Sequence, residues 1–433
     1  MSDYPMLISN KLHSFRNFWL LYYNMKRKRQ ILCFIVIAVI TVVFSGCKEK
    51  PRQNIASDII NINPHQAQEY MNLSEIADSI EVIKLQTEPG DILGLIREII
   101  IKDKYIYVVD KSQQAIFLFD KSGRFVSKLA RQGRGPGEYI LMKPVFVDDK
   151  EEFIEFINFM GDKTPLYRYS LPDFEFIGEY PALCPMRITS CKRTDSVYYY
   201  ATQQLDNVVD DERTNAGLLI VKDGKIVKTL FDKVIKTQGS VFFPYSECFV
   251  VNDSNEIFMS LMYDNSFYKI CDEDASAVFT VDFGKHGMSG SIGARPLEKQ
   301  MEYIKSANRV AMFPVLNINN SDIMSFSYYF KEGAEERFFR KEDVRYYIRY
   351  KDKTYHTKKI KNDLTDFPAY IYLNSSFPSC VHQVYYKNYL VDVIIPSSMI
   401  DFPEDGSDKI FVEGLGEITS DDNPIIVMVK MKE

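Results

Sequence analysis

Short runs of β-branched and aromatic residues recur along the chain, separated by turns rich in Gly, Asp, Asn, Lys and Ser. The clearest example is "IREIIIKDKYIYVVDKSQQAIFLFDKSGRFVSKLARQG" at residues 96–133. It predicts four antiparallel strands, at residues 98–101, 105–109, 115–119 and 124–130. Because helical periodicity is nearly absent, the chain is predicted to be all-β, as a sandwich, a barrel or a propeller built from such meanders.

The four-stranded pattern recurs with drift along the rest of the chain. Units two to five begin near Pro144, Arg187, Glu247 and Pro314, and a sixth unit supplies only three strands. The segment "SIEVIKL" at residues 79–85 is predicted to be its missing fourth strand, which would leave no open sheet edge. We therefore predict a six-bladed β-propeller of four-stranded antiparallel blades over residues 79–433, with an insertion carrying a short helix at residues 284–314.

The N-terminus has the order of a secretory signal. Basic residues at 25–30 precede an apolar run at 31–44 and the small residues before Cys47. The apolar run would cover roughly 21 Å, short of a membrane core of roughly 30 Å, so a transmembrane anchor is the weaker reading. Residues 1–24 fit no part of a signal, and we interpret them as a spurious or disordered extension, with the true start at Met25. The predicted signal peptide is then residues 25–46.

The sequence "FSGC" at residues 44–47 resembles the lipobox of bacterial lipoproteins, although Phe44 stands where an aliphatic residue is usual. The resemblance implies that Cys47 is diacylated and becomes the new N-terminus, so residues 47–78 would be an acylated end and a linker. The acyl chains would supply stable membrane attachment. The alternative is an ordinary thiol after a standard cleavage site.

Charge argues against a nucleic-acid partner. Residues 1–46 hold six of the 53 basic residues and one of the 59 acidic residues, so the remainder carries a formal charge of −11. Such a domain lacks the basic surface that binds phosphates. Five cysteines remain besides Cys47; Cys184 and Cys191 could pair, but buried free thiols are the favoured interpretation.

The segment "QAIFLFDKSGRFVSKLARQGRGPGEYILMKPVFVDD" at residues 114–149 resembles an NHL-type repeat that spans the end of one blade and the start of the next. The whole chain after Cys47 resembles the six-bladed β-propeller lipoproteins of gut-dwelling Gram-negative anaerobes. The resemblance implies an outer-membrane lipoprotein on the periplasmic or the surface face. It transfers no catalytic residues.

The glycine-rich loop "GRGPGEY" at residues 133–139 is predicted to be a crossover between blades. A phosphate-binding loop needs a following helix and a Lys-Ser/Thr end, and both are missing here. The glycines permit positive φ and Pro136 fixes the bend, which leaves Arg131, Arg134 and Glu138 as exposed charges.

No catalytic set can be assembled from the sequence, and no cofactor is predicted. The histidines left after the leader, which are predicted to be too dispersed for a metal site, are His65, His286, His356 and His382. Inner-strand positions in units one, two and four carry Glu98, Asp148 and Glu247, which are candidates for a calcium site. The acidic run at residues 148–152 is interpreted as a solvated turn.

Two functions follow as hypotheses, and a third, purely structural role as a rigid spacer with no pocket in use stays open beside them. The first is a non-enzymatic lipoprotein that binds a peptide, a glycan or an envelope protein on its propeller. The alternative is a calcium-dependent hydrolase or lyase with its site in the propeller channel.

Overall fold

Burial is nearly continuous along the apolar runs in the middle of the blades, because these strands pack on both faces. The computed structural model describes residues 58–433 except 88–91, 161–162, 186, 195–196, 204, 210–211, 233–246, 334–339, 369, 374–380, 383, 401, 403–407 and 414. The predicted signal peptide and Cys47 lie outside the described residues. No helix in the described part of the chain is long and apolar enough to cross a membrane.

The described chain begins with three strands that belong to sheets formed much later. These are β1 (Asp58–Asn61), β2 (Met71–Asn72) and β3 (Ala77–Lys84), with 3-10 turns at Pro64–Gln66 and Leu73–Glu75. Blade 1 then consists of β4 (Ile96–Ile101), β5 (Tyr105–Asp110), β6 (Ala115–Asp120) and β7 (Phe125–Leu129). The four predicted strands of this unit are confirmed to within two residues at each end.

Three further blades follow in chain order. Blade 2 is β8 (Met142–Val147), β9 (Phe153–Asn158), β10 (Leu166–Ser170) and β11 (Phe176–Tyr180). Blade 3 is β12 (Ser190–Thr194), β13 (Val197–Ala201), β16 (Ala216–Lys222) and β17 (Lys225–Asp232), with β14 (Asn207–Val209) and β15 (Glu212–Thr214) as an inserted hairpin. Blade 4 is β18 (Phe249–Val251), β19 (Ile257–Ser260), β20 (Ser266–Cys271) and β21 (Asp274–Asp282).

An insertion separates blade 4 from blade 5. It holds 3-10 turns at Gly284–His286 and Gly290–Ala294 and the helix α1 (Leu297–Ser306), which lies in the range where a short helix is predicted. Lys331 is buried and its ammonium group donates to the carbonyl of Ile304 near the end of α1, at 3.2 Å. A cation at this end of a helix satisfies carbonyls that have no partner within the helix.

Blade 5 is β22 (Val310–Asn319), β23 (Ile323–Lys331), β24 (Val344–Tyr350) and β25 (Lys353–Thr357), with a 3-10 turn at Lys341–Asp343. Blade 6 is a small sheet of β2, β26 (Ile360–Lys361) and β27 (Tyr370–Ile371). The strand β28 (Val381–His382) pairs in parallel with β4 of blade 1. Blade 7 is β29 (Tyr385–Tyr386), β30 (Tyr389–Ile394), β33 (Ile425–Met431) and β3. Between β30 and β33 lie α2 (Pro396–Met399) and the hairpin of β31 (Lys409–Val412) and β32 (Gly416–Thr419).

The described residues therefore form seven sheets of three or more strands, so the predicted number of six blades is wrong. Blade 6 escaped the sequence analysis because each of its strands has two residues, too few to show an alternating pattern. The predicted closure is present: β3 pairs antiparallel with β33 at the outer edge of blade 7. That pairing covers an edge that would otherwise be open to other chains.

The segment from β1 to Gln86, here called the N-terminal belt, contacts the outer strands of consecutive blades. The strand β1 pairs with β21 of blade 4, Gln68 bridges to Thr357 of blade 5, and β2 pairs with blade 6. After β3 in blade 7, Gln86 bridges to Arg124 beside blade 1. Residues 58–76, predicted to belong to a linker, are thus part of the folded sheets.

Buried polar side chains hold the loops that lead into inner strands. Asp110 at the end of β5 accepts from the backbone N–H of Gly94 at 2.6 Å, and Asn158 at the end of β9 accepts from Ile140 at 2.9 Å. Both side chains are fully buried. Equivalent positions in blades 1 and 2 thus carry a buried side chain that accepts a hydrogen bond from the loop before the inner strand.

Candidate functional site

A cavity of about 470 Å³ lies where the inner strands of the blades face one another. Volumes of this size accommodate small-molecule ligands. Six of the seven blades contribute to the lining, and the small blade 6 does not. The lining consists of Glu98, Ile99, Ile100, Lys102, Val145, Phe146, Val147, Asp148, Asp149, Cys191, Lys192, Arg193, Glu247, Phe249, Val250, Val251, Asn317, Ile318, Asn319, Asn320, Val384 and Tyr385.

Two carboxylates and an ammonium group carry charge into the cavity. Lys192 on β12 lies with its Nζ 3.4 Å from Oε2 of Glu247, the residue two places before β18. The other oxygen of Glu247 accepts from the backbone N–H groups of Cys248 and Phe249, at 2.8 Å each. These bonds fix the Glu247 carboxylate at the start of the strand, so Lys192 is paired with an acceptor that cannot easily move.

Glu98 on β4 faces the same group of charges. Its pKa is raised above the ordinary value because burial penalises the charged carboxylate; Arg97 and Lys192 oppose this effect and Glu247 adds to it. For Lys192, burial alone would lower the pKa, but the carboxylates of Glu247 and Glu98 outweigh it and raise the pKa. The ammonium group therefore stays charged at neutral pH.

Carboxamides line the cavity on the side of blade 5. The register of β22 against β23 shifts between Leu316 and Ile318, so Asn317 lies in a bulge. Asn317 is 4% exposed, and neither atom of its amide has a hydrogen-bond partner among the described residues. An unsatisfied buried amide is costly, and such a group is a candidate contact for a ligand.

The remaining charged lining residues are engaged in the protein itself. Lys102 forms an ion pair with Asp149 at 2.9 Å. Arg193 forms an ion pair with Glu155, which Arg168 also contacts at 2.7 Å. Tyr385 is also enclosed: burial, followed by the charges of Asp253 and Asp322, raises the pKa of its phenol to about 12.

The three predicted calcium candidates, Glu98, Asp148 and Glu247, all line this cavity. Asp148 is occupied locally: its Oδ1 accepts from the backbone of Phe153 at 2.9 Å and its Oδ2 from Lys150 at 3.0 Å. In the described part of the chain, no three His, Cys, Asp or Glu side chains are grouped as a metal site. The geometry therefore gives no support to the calcium-dependent alternative.

The histidines are placed in four different settings. His65 lies in the N-terminal belt and His286 in the insertion, and the centroids of their rings are 4.8 Å apart. The sequence analysis missed this contact. His356 is on the outer strand of blade 5, and His382 is in β28. The cysteines Cys184, Cys191, Cys248 and Cys271 are free thiols; Cys184 and Cys248 are buried, Cys191 is half-buried and Cys271 is exposed.

The glycine-rich loop joins β7 to β8, so the prediction of a crossover between blades is confirmed. Arg131, Arg134 and Glu138 are exposed, as predicted. Inside the loop, the buried Tyr139 donates from its hydroxyl to the carbonyl of Gln114 at 2.6 Å.

One part of the predicted solvated turn at residues 148–152 is wrong. Glu151 is 4% exposed and accepts from the hydroxyl of Tyr107 at 2.9 Å and from the backbone of Lys104 at 2.7 Å. This carboxylate ties blade 2 to blade 1.

Sequence reasoning missed Lys192 and Asn317 as cavity residues. Both lie in polar stretches, "SCKRT" and "LNINNSD", that read as strand ends next to turns. One feature of the sequence could have found them. On the inner strand of a propeller blade, a charged or polar residue that interrupts an apolar pattern can still be enclosed by the neighbouring blades.

Sheets arranged around a cavity that their inner strands line define an all-β propeller with an axial cavity. The chain belongs to the family described as "Domain of unknown function (DUF4934)", whose model matches residues 57–430. No curated protein matches the chain.

The solved structures that are similar to the chain include two from Bacteroides species. One is named "Putative exported protein", from Bacteroides fragilis NCTC 9343, with a TM-score of 0.59 and 16% identity, covering 87% of this chain and 100% of that chain. The other is a member of the DUF4221 family from Bacteroides vulgatus, with a TM-score of 0.49 and 12% identity, covering 82% of this chain and 97% of that chain. The first supports the propeller fold.

Proposed function

We propose that this chain is an exported, lipid-anchored propeller that binds a small polar ligand in its axial cavity. The carrying observation is the combination, in one cavity of about 470 Å³, of the buried Glu247 and the half-buried Glu98 and Lys192 with the unsatisfied amide of Asn317. Apolar side chains make up much of the remaining wall. An apolar pocket with a few convergent polar groups is the usual form of a binding site for small molecules.

A concave site favours a small ligand over a protein partner as the occupant of the channel. A peptide, glycan or envelope protein on the outer faces of the propeller remains compatible with the same anchor. The residues on which this proposal rests all line the cavity.

Ligand binding is tested by thermal shift and calorimetry of the full-length protein against a panel of sugars, amino acids, amines and organic acids. Val251 lines the cavity and is 47% exposed, so Val251→Trp should obstruct the cavity without overpacking the core. Val227, on the outer strand β17 and 40% exposed, provides the matched control Val227→Trp. A ligand whose binding survives Val251→Trp unchanged would place the site elsewhere.

The anchor is tested separately. Cys47→Ser should move the protein from the membrane fraction to the soluble fraction, because it removes the acceptor of the lipid. Cys271→Ser, at an exposed free thiol, is the control and should leave the distribution unchanged. Unchanged membrane association of Cys47→Ser would contradict the lipoprotein assignment.

A further inference from the structure

Glu98 differs from the other charged groups of the cavity wall because its carboxylate has no hydrogen-bond or ion-pair partner among the described residues. Lys102 pairs with Asp149, Arg193 with Glu155, and Lys192 with Glu247. Asp148 accepts from its own turn. Within the described part of the chain, no donor contacts the Glu98 carboxylate, although it is surrounded by protein.

The neighbouring cations are already engaged. Lys192 is held by Glu247, and Arg97 donates from its Nη1 to the carbonyl of Met142. The Glu98 side chain is half-buried, and a carboxylate shielded from water without a counterion favours the binding of a cation. The group formed by Glu98, Lys192 and Glu247 has a formal charge of −1, which opposes an anionic ligand.

Asn317 supplies a second and independent requirement. Its amide offers a donor and an acceptor, both buried and both without a partner among the described residues. A hydroxyl or an amide on the ligand would satisfy each of them. A purely apolar amine would leave both of them unsatisfied, so it would gain nothing from this side chain.

We propose that the axial cavity binds a small primary amine that also carries hydroxyl or amide groups, with its ammonium group at Glu98 and its hydroxyl or amide at Asn317. Amino sugars and amino-acid amides share this chemistry. The inference rests on the proposed function and adds the class of ligand to it.

The test compares amines with neutral partners of nearly equal shape. Glucosamine is paired with glucose, and 2-amino-1,3-propanediol with glycerol; glucuronate represents anions. Calorimetry on the full-length protein should give the amine of at least one pair an affinity tenfold or more above that of its neutral partner, because only the amine supplies a cation. Glucuronate should not bind measurably.

Two substitutions test whether the Glu98 carboxylate is the group that binds the ammonium group of the ligand. Glu98→Gln keeps the shape and removes the charge, and it should lower the amine affinity tenfold or more; Glu98→Asp keeps the charge and should retain part of it. Glu302→Gln, at an exposed carboxylate on α1, is the control and should bind like the unchanged protein. Circular dichroism of each variant verifies that it is folded.

The outcomes separate the two proposals. If neutral members of the pairs bind as well as the amines, or better, and Val251→Trp abolishes that binding, the ligand class is wrong and the axial site stands. If neither amines nor neutral partners bind and the wider panel also gives no binding, both proposals are wrong. Equal amine binding by Glu98→Gln and the unchanged protein would overturn the role of Glu98.

Discussion

The ammonium group of Lys192 lies 3.4 Å from Oε2 of Glu247, and this contact joins the inner strand of blade 3 to the start of the inner strand of blade 4. The Lys192 side chain is 32% exposed and that of Glu247 is 9% exposed. The pair is therefore shielded from water enough for the two charges to attract each other strongly, and it is still accessible from the cavity. We therefore expect the pair to stabilise the fold in addition to any contact that it makes with a ligand.

Lys192→Met should destabilise the protein by about 2–3 kcal/mol at pH 7, less than the cost of breaking a fully buried pair, because the ammonium group is partly exposed. A double-mutant cycle with Glu247→Gln, measured by urea unfolding, should give a coupling free energy above about 1 kcal/mol. The control is the exposed pair of Lys409 and Glu417, where the coupling should be close to zero. Equal coupling in the two pairs would contradict the role assigned to burial.

Glu155 should be a strong determinant of stability. It is 1% exposed and its carboxylate accepts from Arg168 on the neighbouring strand and from Arg193 of the next blade. Glu155→Gln should cost about 3 kcal/mol, since it leaves two enclosed guanidinium groups without their counterion. Glu302→Gln removes an exposed ion pair with Lys299 and should change the free energy of unfolding by less than about 0.5 kcal/mol. Similar losses in the two variants would refute this assignment.

Substitution of Gly137 in the crossover loop should destabilise the protein more than substitution of Gly224 in a hairpin turn. Gly137 has a φ of +69°, and a Cβ there would lie 2.9 Å from Cγ of Phe176. Gly224, in the turn between β16 and β17, has a φ of +70° but nothing within 4 Å of the same position. Gly224→Ala should cost about 1 kcal/mol from the backbone alone, and Gly137→Ala about 2–4 kcal/mol from the backbone plus the contact. Thermal unfolding measures both, and equal losses would argue against tight packing of the loop.

His356 should make the protein less stable in mild acid. Burial, and then the charge of Arg345, lowers the pKa of its imidazole from 6.5 to about 4, and its Nε2 lies 2.8 Å from the hydroxyl of Tyr328. The unfolded chain binds a proton at this residue between pH 6.5 and 4 and the folded chain does not. Its contribution is therefore present above pH 6.5 and is lost as the pH falls through this interval.

The size of this effect should be roughly 1–2 kcal/mol, because the ring is only partly buried. His356→Gln should flatten the dependence of the unfolding free energy on pH between 6.5 and 4 by that amount. Urea unfolding at several pH values, with the difference between the two proteins plotted, isolates this residue from other titrating groups. A constant difference across the interval would contradict the prediction.

The sequence predicts those parts of the fold that depend on local alternation. The strands of blade 1 and the pairing of residues 79–85 with the C-terminal strand follow from short apolar runs and from the need to cover an edge. Blade 6 does not follow, since two-residue strands are defined by their neighbours rather than by their own pattern. Residues 58–76 of the N-terminal belt are also missed, since β1 and β2 are short strands that pair with blades formed much later in the chain.

The candidate site is only partly predictable. Glu98 and Glu247 stand out because acidic residues at the start of apolar strands are unusual. Lys192 and Asn317 become meaningful only when separate blades bring them to one cavity, and the bulge that holds Asn317 depends on the pairing of β22 with β23. The absence of a partner for a carboxylate is a property of three-dimensional packing that no spacing of residues reveals.

The N-terminal belt has a consequence for the order of folding. Its strands are made first, yet β1 must wait for β21 and β3 must wait for β33, the last strand of the chain. Pairings between residues so distant in sequence are slow to form, because the loop between them must close before the contacts stabilise it. Ile60 lacks the surfaces that bury it until blades 4 and 5 are made, and Ile83 lacks part of its own until β33 is made. An unfinished chain therefore carries exposed apolar side chains in its first strands, and such surface is prone to aggregate.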